Sequence, residues 1–532
     1  MSADKSMLER WGRAAVHHRW KVIGAWAILL VVLAVVAKNL SEGTTSGLSV
    51  PGAESQNAVD VLEASFPERA GDYGDVVIKA DAGLDDPAAR ATVDKLVADL
   101  SQVPGVVSVA SPYTPNLGLI SADGTIGIAR VQFADSADDV SSETADAVIG
   151  IAESARNDSL QVEFGGPVAS AQEHEGPNES TVLGIMAALV ILYILFRTLV
   201  PTILPIGTAM LGLAAGFTII FSLTAAVDLS KFAPNIAAML GLGVGVDYAL
   251  FIVARHRENV SRGMNIADSV ALTLATSGKS VIFAGGVVVT SLLGLSFMGI
   301  PFVGWLGVAA AVMVTLAVLV AVTLLPALLG VAGTRILSLR APVAGGACGE
   351  AHHRSPWYRL GFAIMRRPYL YFGASAAILI VLAIPAFSIR LGSADAGNNP
   401  TSSSTRRAYD LVAEGFGEGA NGPLQIVVEG GSSEATTALR TAIAADANVA
   451  AVSQPIASSD GTLTVFSVIP KTEPQAQETT DLVHRLRDET IPSVSEGSDA
   501  EVYVAGTTAR YVDISDRIAS RLPLFFSIVI GV

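Results

Sequence analysis

The sequence predicts an α-helical polytopic membrane protein with two α+β insertions, and three observations predict it. Of 532 residues, 51% are hydrophobic and only 16% charged, against about 25% charged in a typical soluble protein. The apolar residues gather into blocks of bilayer length, about 20 residues for a hydrocarbon core of about 30 Å. Two long polar stretches separate these blocks, and each repeats the other in sequence. The net charge of −15 disfavours nucleic acid as a partner, and one cysteine, Cys348, excludes an internal disulfide framework.

Taken in order, residues 1–19 form a basic leader before the first span, Trp20–Ala37. Residues 38–180 are the first insertion. Five spans follow within 181–331: Thr181–Phe196, Thr202–Val227, Asn235–Ala254, Ser280–Met298 and Phe302–Val331. A Gly/Ala/Arg-rich linker, 332–368, leads to the seventh span, Tyr369–Phe387, and then to the second insertion, 388–520. An eighth span starts at Leu522 within 521–532 and meets the end of the sequence. Basic residues cluster before span one (Arg10, Arg13, Arg19, with Lys21), between spans four and five (Arg255, Arg257, Arg262, Lys279), and between six and seven (Arg335 to Arg367). By the positive-inside rule these segments are cytoplasmic, so both acidic insertions are extracytoplasmic on a multi-pass protein of the inner (plasma) membrane. The first span has the look of a secretory signal. The alternation of the later spans requires it to be retained as a helix.

The repeat is explicit. AVDVLEASFPERAGDYGDVVI from Ala58 matches AYDLVAEGFGEGANGPLQIVV from Ala408. SADGTIGIARVQF from Ser121 matches SSDGTLTVFSVIP from Ser458, and VEFGGPVAS from Val162 matches VYVAGTTAR from Val502. The offsets are all about 340–350 residues in one order, the mark of duplication. Gly24 and Gly373 correspond in the helices that precede the insertions. Each insertion reads as β-α-β-β-α-β, the split-βαβ order. In the first this is a strand near Asp75–Lys79, a helix over Pro87–Ser101, and strands Val106–Ala110 and Ile126–Phe133. A helix from Asp138 to Arg156 and a strand at Gln161–Phe164 complete it.

The candidate site lies in the fourth span, PNIAAMLGLGVGVDYALFIVARHRE. Asp247 falls 13 residues after Pro234 and 8 before Arg255, roughly 20 Å and 12 Å along the axis. A carboxylate at that depth costs at least about 2.5–3.5 kcal/mol to insert, and such residues usually face a bundle interior or a water path. Desolvation favours the neutral form, so the group can take and release a proton. The Tyr248 hydroxyl can donate and accept, extending a relay. Gly241 and Gly245 are spaced as GxxxG for close helix approach, Gly243 lies one turn before Asp247, and Phe251 one turn after it.

Other features carry less chemistry. Ser280, Thr290 and Ser291 are placed to hydrogen-bond across helices or simply to pack. Cys348 with His352 and His353 lacks a second cysteine at ligand spacing, so no metal is expected. Glu173, His174 and Glu175 read as solvated surface. No P-loop, GxSxG elbow or HExxH site is present in the sequence, so neither an enzyme nor a cofactor is expected.

GLGVGVDYALFIVARHRE resembles the fourth-span signature of the MMPL branch of the resistance-nodulation-division (RND) superfamily, and the segment from Ala275 to Gly330 resembles the spans that follow it. The topology is similar along the whole chain. The resemblance implies an RND-type helix bundle with two porter-like outer domains. It implies proton-driven export of lipids or other hydrophobic molecules by a twelve-span transporter set among membrane lipids. It also implies an Asp-Tyr pair on the fourth span, matched by Asp247 and Tyr248, facing another on the tenth. The tenth span falls beyond Val532, so the chain is expected to be C-terminally truncated, with spans eight to twelve supplied as a continuation or a partner. The rival readings are a small-drug efflux pump of the same superfamily and a non-transporting, sterol-sensing-like membrane sensor.

Overall fold

The computed structural model describes residues 6–531, apart from 41–49, 66–71, 116, 136, 138, 174–178, 228, 231, 338–355, 393, 459–460 and 496–499. Cys348, His352, His353, His174 and Glu175 therefore lie outside the described residues. The chain folds as two compact units, one of Met1–Leu48, Asn178–Leu391 and Arg521–Val532, the other of Ser49–Pro177 and Gly392–Ser520.

The first unit is a helical bundle. Helix α1 (Met7–His17) starts at Ser6, whose Oγ accepts from the Glu9 amide. It precedes the apolar α2 (Arg19–Leu40). The bundle continues from α7 (Glu179–Phe196) to α8 (Leu199–Leu223) and α9 (Phe232–Ser261). Helix α10 (Ile266–Thr273) passes through one π turn into α11 (Lys279–Leu293). Gly299, at φ +71, reverses the chain into α12 (Pro301–Val322) and α13 (Leu324–Ala332). An amphipathic α14 (Pro356–Arg366) leads to α15 (Pro368–Ala383), which buries no side chain. Among the described residues, six helices are long and apolar enough to cross a membrane, and the apolar part of α7, Leu183–Phe196, is shorter. Helix α12 is the hub, packed on α8, α9 and α11 with two-thirds of its apolar stretch buried. The architecture is that of a polytopic membrane protein.

The second unit holds both insertions. The first begins with α3 (Glu54–Ser65) and continues through β1 (Tyr73–Ala80), α4 (Pro87–Leu100), β2 (Val106–Ala110), β3 (Ile126–Phe133), α5 (Ser142–Ala155), β4 (Leu160–Gly165) and α6 (Gly166–Glu173). Asp86 caps α4, accepting from the Ala88 and Ala89 amides, with Pro87 in the first turn, where a missing N–H costs nothing. The strands pair antiparallel in the order β2-β3-β1-β4. The second insertion repeats this with α16 (Ser404–Phe416), β5 (Leu424–Glu429), α17 (Ser433–Ala444), β6 (Val449–Val452), β7 (Ile456–Ala457), β8 (Leu463–Pro470), α18 (Gln477–Arg485), α19 (Ile491–Ser495), β9 (Glu501–Ala505) and α20 (Thr507–Gly531). Its order is β6-β8-β5-β9, with β7 added on β8.

Each sheet is apolar on both faces, and the second face explains why the insertions form one unit. Val76, Ile78, Val131 and Phe133 bury one face of the first sheet with Leu96, Leu100 and Val148 from its own helices. Val77, Ile126 and Ile128 on the other face pack against Ala408, Leu411 and Val412 of α16, a helix of the second insertion. The exchange is reciprocal, since Ala58 of α3 packs on Val427, Leu463 and Ala505 of the second sheet. Ala58 with Ala408, and Val77 with Val427, are matched positions of the repeat. Polar clasps seal both exchanges. Glu163 on β4, 2% exposed, accepts from Arg407 at 2.7 and 2.9 Å, from Ser404 at 2.8 Å and from Arg156 at 3.0 Å. On the other side Arg487 binds Asp513 and pairs with Glu54, which also accepts from the Val504 amide at 2.6 Å.

Gly165 shows how tight the first exchange is, because a Cβ there would stand 2.7 Å from the Ala408 Cβ. Both atoms are fixed by backbone, so no rotamer relieves the clash. Gly165→Ala is expected to cost about 1–3 kcal/mol by overpacking. The check is the thermal midpoint of the sheet circular-dichroism signal in the full chain, with Gly150→Ala in α5, where a Cβ meets nothing within 4 Å, as the comparison that should stabilise by about 0.5–1 kcal/mol through helix propensity.

Candidate functional site

The fourth span of the sequence is α9, and its residues sort onto two faces. Gly241, Gly245, Ala249 and Ile252 recur every three or four residues and are buried. The GxxxG pair does bring helices close. A Cβ on Gly241 would stand 2.1 Å from Met313 Cγ of α12, and one on Gly245 would stand 3.1 Å from Ala209 Cβ of α8. Met313 also fills the space beside Gly216 of α8, where a Cβ would meet its sulfur at 2.2 Å. One thioether thus occupies a hole made by two glycines. Gly241→Val is expected to lower the melting temperature of the purified chain, at about 1–3 kcal/mol of overpacking. Met313→Ala added to it should recover part of that loss by vacating the space.

The opposite face carries Met239, Gly243, Asp247 and Phe251, four residues apart and all exposed. The close approach at Gly241 and Gly245 is therefore made on the far side of the helix from Asp247 and does not screen its carboxyl. A Cβ on Gly243 would meet nothing within 4 Å. Tyr248 turns away from Asp247 toward α11. Its ring is part-buried in the cluster of Ile252, Val281 and Val318, with Cε2 3.5 Å from the Cβ position of Gly285. Neither Asp247 nor Tyr248 has a hydrogen-bond or ion-pair partner among the described residues.

The remaining candidates resolve simply. Thr290 Oγ1 donates to Gly286 O at 2.8 Å, and Ser280 Oγ to Thr276 O at 3.4 Å, both along their own helix rather than across to a neighbour. Among the described residues no group of three His, Cys, Asp or Glu could hold a metal ion. Sequence reasoning missed His256, which is fully buried, with Nδ1 2.8 Å from Ser269 Oγ of α10. Nearby, Asn259 donates to Thr273 Oγ1 at 3.2 Å, so two polar contacts fasten α10 to the end of α9. The signal was available: the buried stripe through Ala249 and Ile252 continues at the same period to His256, Asn259 and Val260, past the end of the apolar stretch.

The model of the MMPL family matches residues 47–371. Membrane protein YdfJ of Bacillus subtilis is 33% identical over 99% of this chain and 72% of its own length. The "Mycolic acid-containing lipids exporter MmpL11" of Mycolicibacterium smegmatis is 28% identical, over 96% of this chain and 55% of its own. The "Heme uptake protein MmpL11" of Mycobacterium tuberculosis is 27% identical, over 95% and 54%.

Proposed function

The chain belongs to the MMPL family, and on that premise we propose that it serves proton-driven export of lipids or other hydrophobic molecules across the inner membrane. The observation that carries this reading is Asp247, a carboxyl with no partner among the described residues, midway along a bilayer-length helix on a face that carries Gly243 one turn away. In this reading Asp247 binds a proton and becomes neutral, and α9 then shifts against the matching helix of the repeat. Tyr248, one residue on and packed toward α11, extends the relay or senses the shift. A charge that crosses the full membrane potential gains about 2.3 kcal/mol per 100 mV, enough to bias a two-state rearrangement. Gly241 and Gly245 hold α9 on α8 and α12, so movement on the Asp247 side works against a fixed back wall. In the same reading the N-terminus is cytoplasmic and the two insertions are extracytoplasmic.

The two MmpL11 relatives, one named an exporter of mycolic acid-containing lipids and the other a heme uptake protein, differ in cargo and in direction, so the proposal names a class of hydrophobic molecule rather than one lipid. The test is transport by the full-length protein in vesicles under an imposed pH gradient, with a pH dye inside. Substrate-dependent dissipation of the gradient supports the reading. Substrate movement that ignores the gradient removes the proton coupling, and no movement with an intact protein removes the reading and favours the sensor.

A further inference from the structure

A second site lies at the other end of the bundle's first hairpin, where α1 turns into α2. An open groove of about 700 Å³ there is lined by Arg13, His17, His18, Arg19, Trp20 and Ala267, among others. Its walls are held in place. Arg13 pairs with Glu9 at 3.1 Å and with Asp268 at 3.0 Å, and Trp11 Nε1 donates to Val322 O at 2.9 Å. Gly12 lies so close to α10 that a Cβ would stand 2.9 Å from the Ala271 Cα. Those two carboxylates occupy Arg13, and His18 Nδ1 lies 3.3 Å from Ala14 O. Arg19 donates to Gly330 O at 3.3 Å, from a fork with five N–H donors. His17 and His18 are exposed, their rings edge-to-face at 4.9 Å.

An exposed apolar face adjoins the groove. Trp20 is 68% exposed at the first turn of α2, where an indole at the membrane–water border belongs. Above it Ile28, Val31, Val32 and Val35 present an exposed apolar face along the same helix. A basic pocket with an aromatic rim and an apolar track leading from it fits an amphiphile with an anionic head. We propose that this groove binds the phosphate headgroup of an anionic membrane lipid, whose chains lie along α2.

Basic residues before a span are ordinary topology signals, and charge alone would carry nothing here. The repeat supplies the independent observation. At an offset of 349 residues, Gly12 corresponds to Gly361, His17 and His18 to Arg366 and Arg367, and Trp20 to Tyr369. The order of small residue, two nitrogen bases and an aromatic at the span's first turn is thus present twice in one chain. Both copies begin within an amphipathic helix, α1 or α14, and end in the first turn of the next helix, while Arg19 is matched by Pro368 and belongs to the first copy alone.

The experiment is native mass spectrometry of the full-length chain released from micelles containing either phosphatidylglycerol or phosphatidylcholine. Wild type is expected to retain phosphatidylglycerol preferentially. The combined variant His17→Gln, His18→Gln, Arg19→Gln is expected to lose about five-fold or more of that retention, with unchanged elution volume on size exclusion. Lys21→Gln removes a cation from the same span without touching the groove and should retain wild-type binding. Equal retention of the two lipids by wild type overturns the proposal without recourse to any variant. So does a loss in Lys21→Gln as large as in the triple variant, because general attraction would then explain the binding. Inorganic phosphate is the third arm: if it displaces phosphatidylglycerol completely, the occupant is a free anion and the lipid assignment fails. None of these outcomes depends on transport.

Discussion

Asp247→Asn is expected to abolish proton-coupled export by the full-length protein while leaving it folded in the membrane. The amide matches the carboxyl in size, and Asp247 has no hydrogen-bond or ion-pair partner among the described residues, so the substitution breaks no contact that holds the bundle. Its side chain is exposed, so no cavity or clash follows either. What it removes is the capacity to take a proton. If the cycle is obligately coupled, flux should fall by about 10²-fold or more, the scale on which a positioned proton-transfer group usually acts. Asp247→Glu, which keeps the acid but moves it by one methylene, should retain part of the activity. Tyr248→Phe should be milder than Asp247→Asn, because it removes one hydroxyl and keeps the ring that packs toward Gly285. The measurement is gradient-driven substrate movement at matched protein amounts in vesicles. Unchanged flux from Asp247→Asn would falsify the proton-carrier assignment, while leaving family membership and fold untouched.

The parts of the molecule legible in the sequence are those set by local rules. Span positions follow from length and hydropathy, so α8, α9 and α12 fall where the apolar blocks lie. Strands β2 and β3 occupy Val106–Ala110 and Ile126–Phe133, because alternation and turn residues bound them. Helix α5 begins at Ser142, capped by the Ser141 hydroxyl, rather than at Asp138, since the cap and not the acidic run fixes the start. The exchange of α3 and α16 was half-legible. Runs such as Val76-Val77-Ile78 and Ile426-Val427-Val428 announce strands buried on both faces. They do not say which helix covers the second face, because that helix lies some 350 residues away in the matched copy. The faces of α9 were similarly underdetermined. Glycines on both sides of the helix gave no asymmetry until α8 and α12 claimed Gly241 and Gly245.

The second large effect belongs to the clasp between the insertions. Arg407→Leu is expected to destabilise the exchanged unit by about 2–3 kcal/mol, because it strips two charge-assisted bonds from a carboxylate that stays buried. Glu163→Leu should cost less. The two arginines it releases, Arg156 and Arg407, have side chains 39% and 33% exposed and can return to water, whereas Glu163, at 3%, cannot. Combining the two substitutions should recover part of the Arg407→Leu loss, since a missing buried pair is cheaper than half of one. The pH dependence has a definite sign. Burial pushes the Glu163 carboxyl upward, but hydrogen bonds from Arg407, Ser404 and Gln161 and the charge of Arg156 outweigh it, leaving the group below its ordinary 4.5. A depressed folded-state value means the clasp contributes fully above that ordinary value and loses its contribution as pH falls through the folded one. Arg407→Leu should therefore be most damaging at neutral pH, and the gap from wild type should narrow in acid as the stranded carboxyl takes a proton. Thermal unfolding of the sheet signal in the full chain, measured from neutral to acid pH, reads this directly. A gap that widens toward low pH, or a Glu163→Leu variant weaker than Arg407→Leu, would mean that the carboxylate is not the buried partner on which the two insertions close.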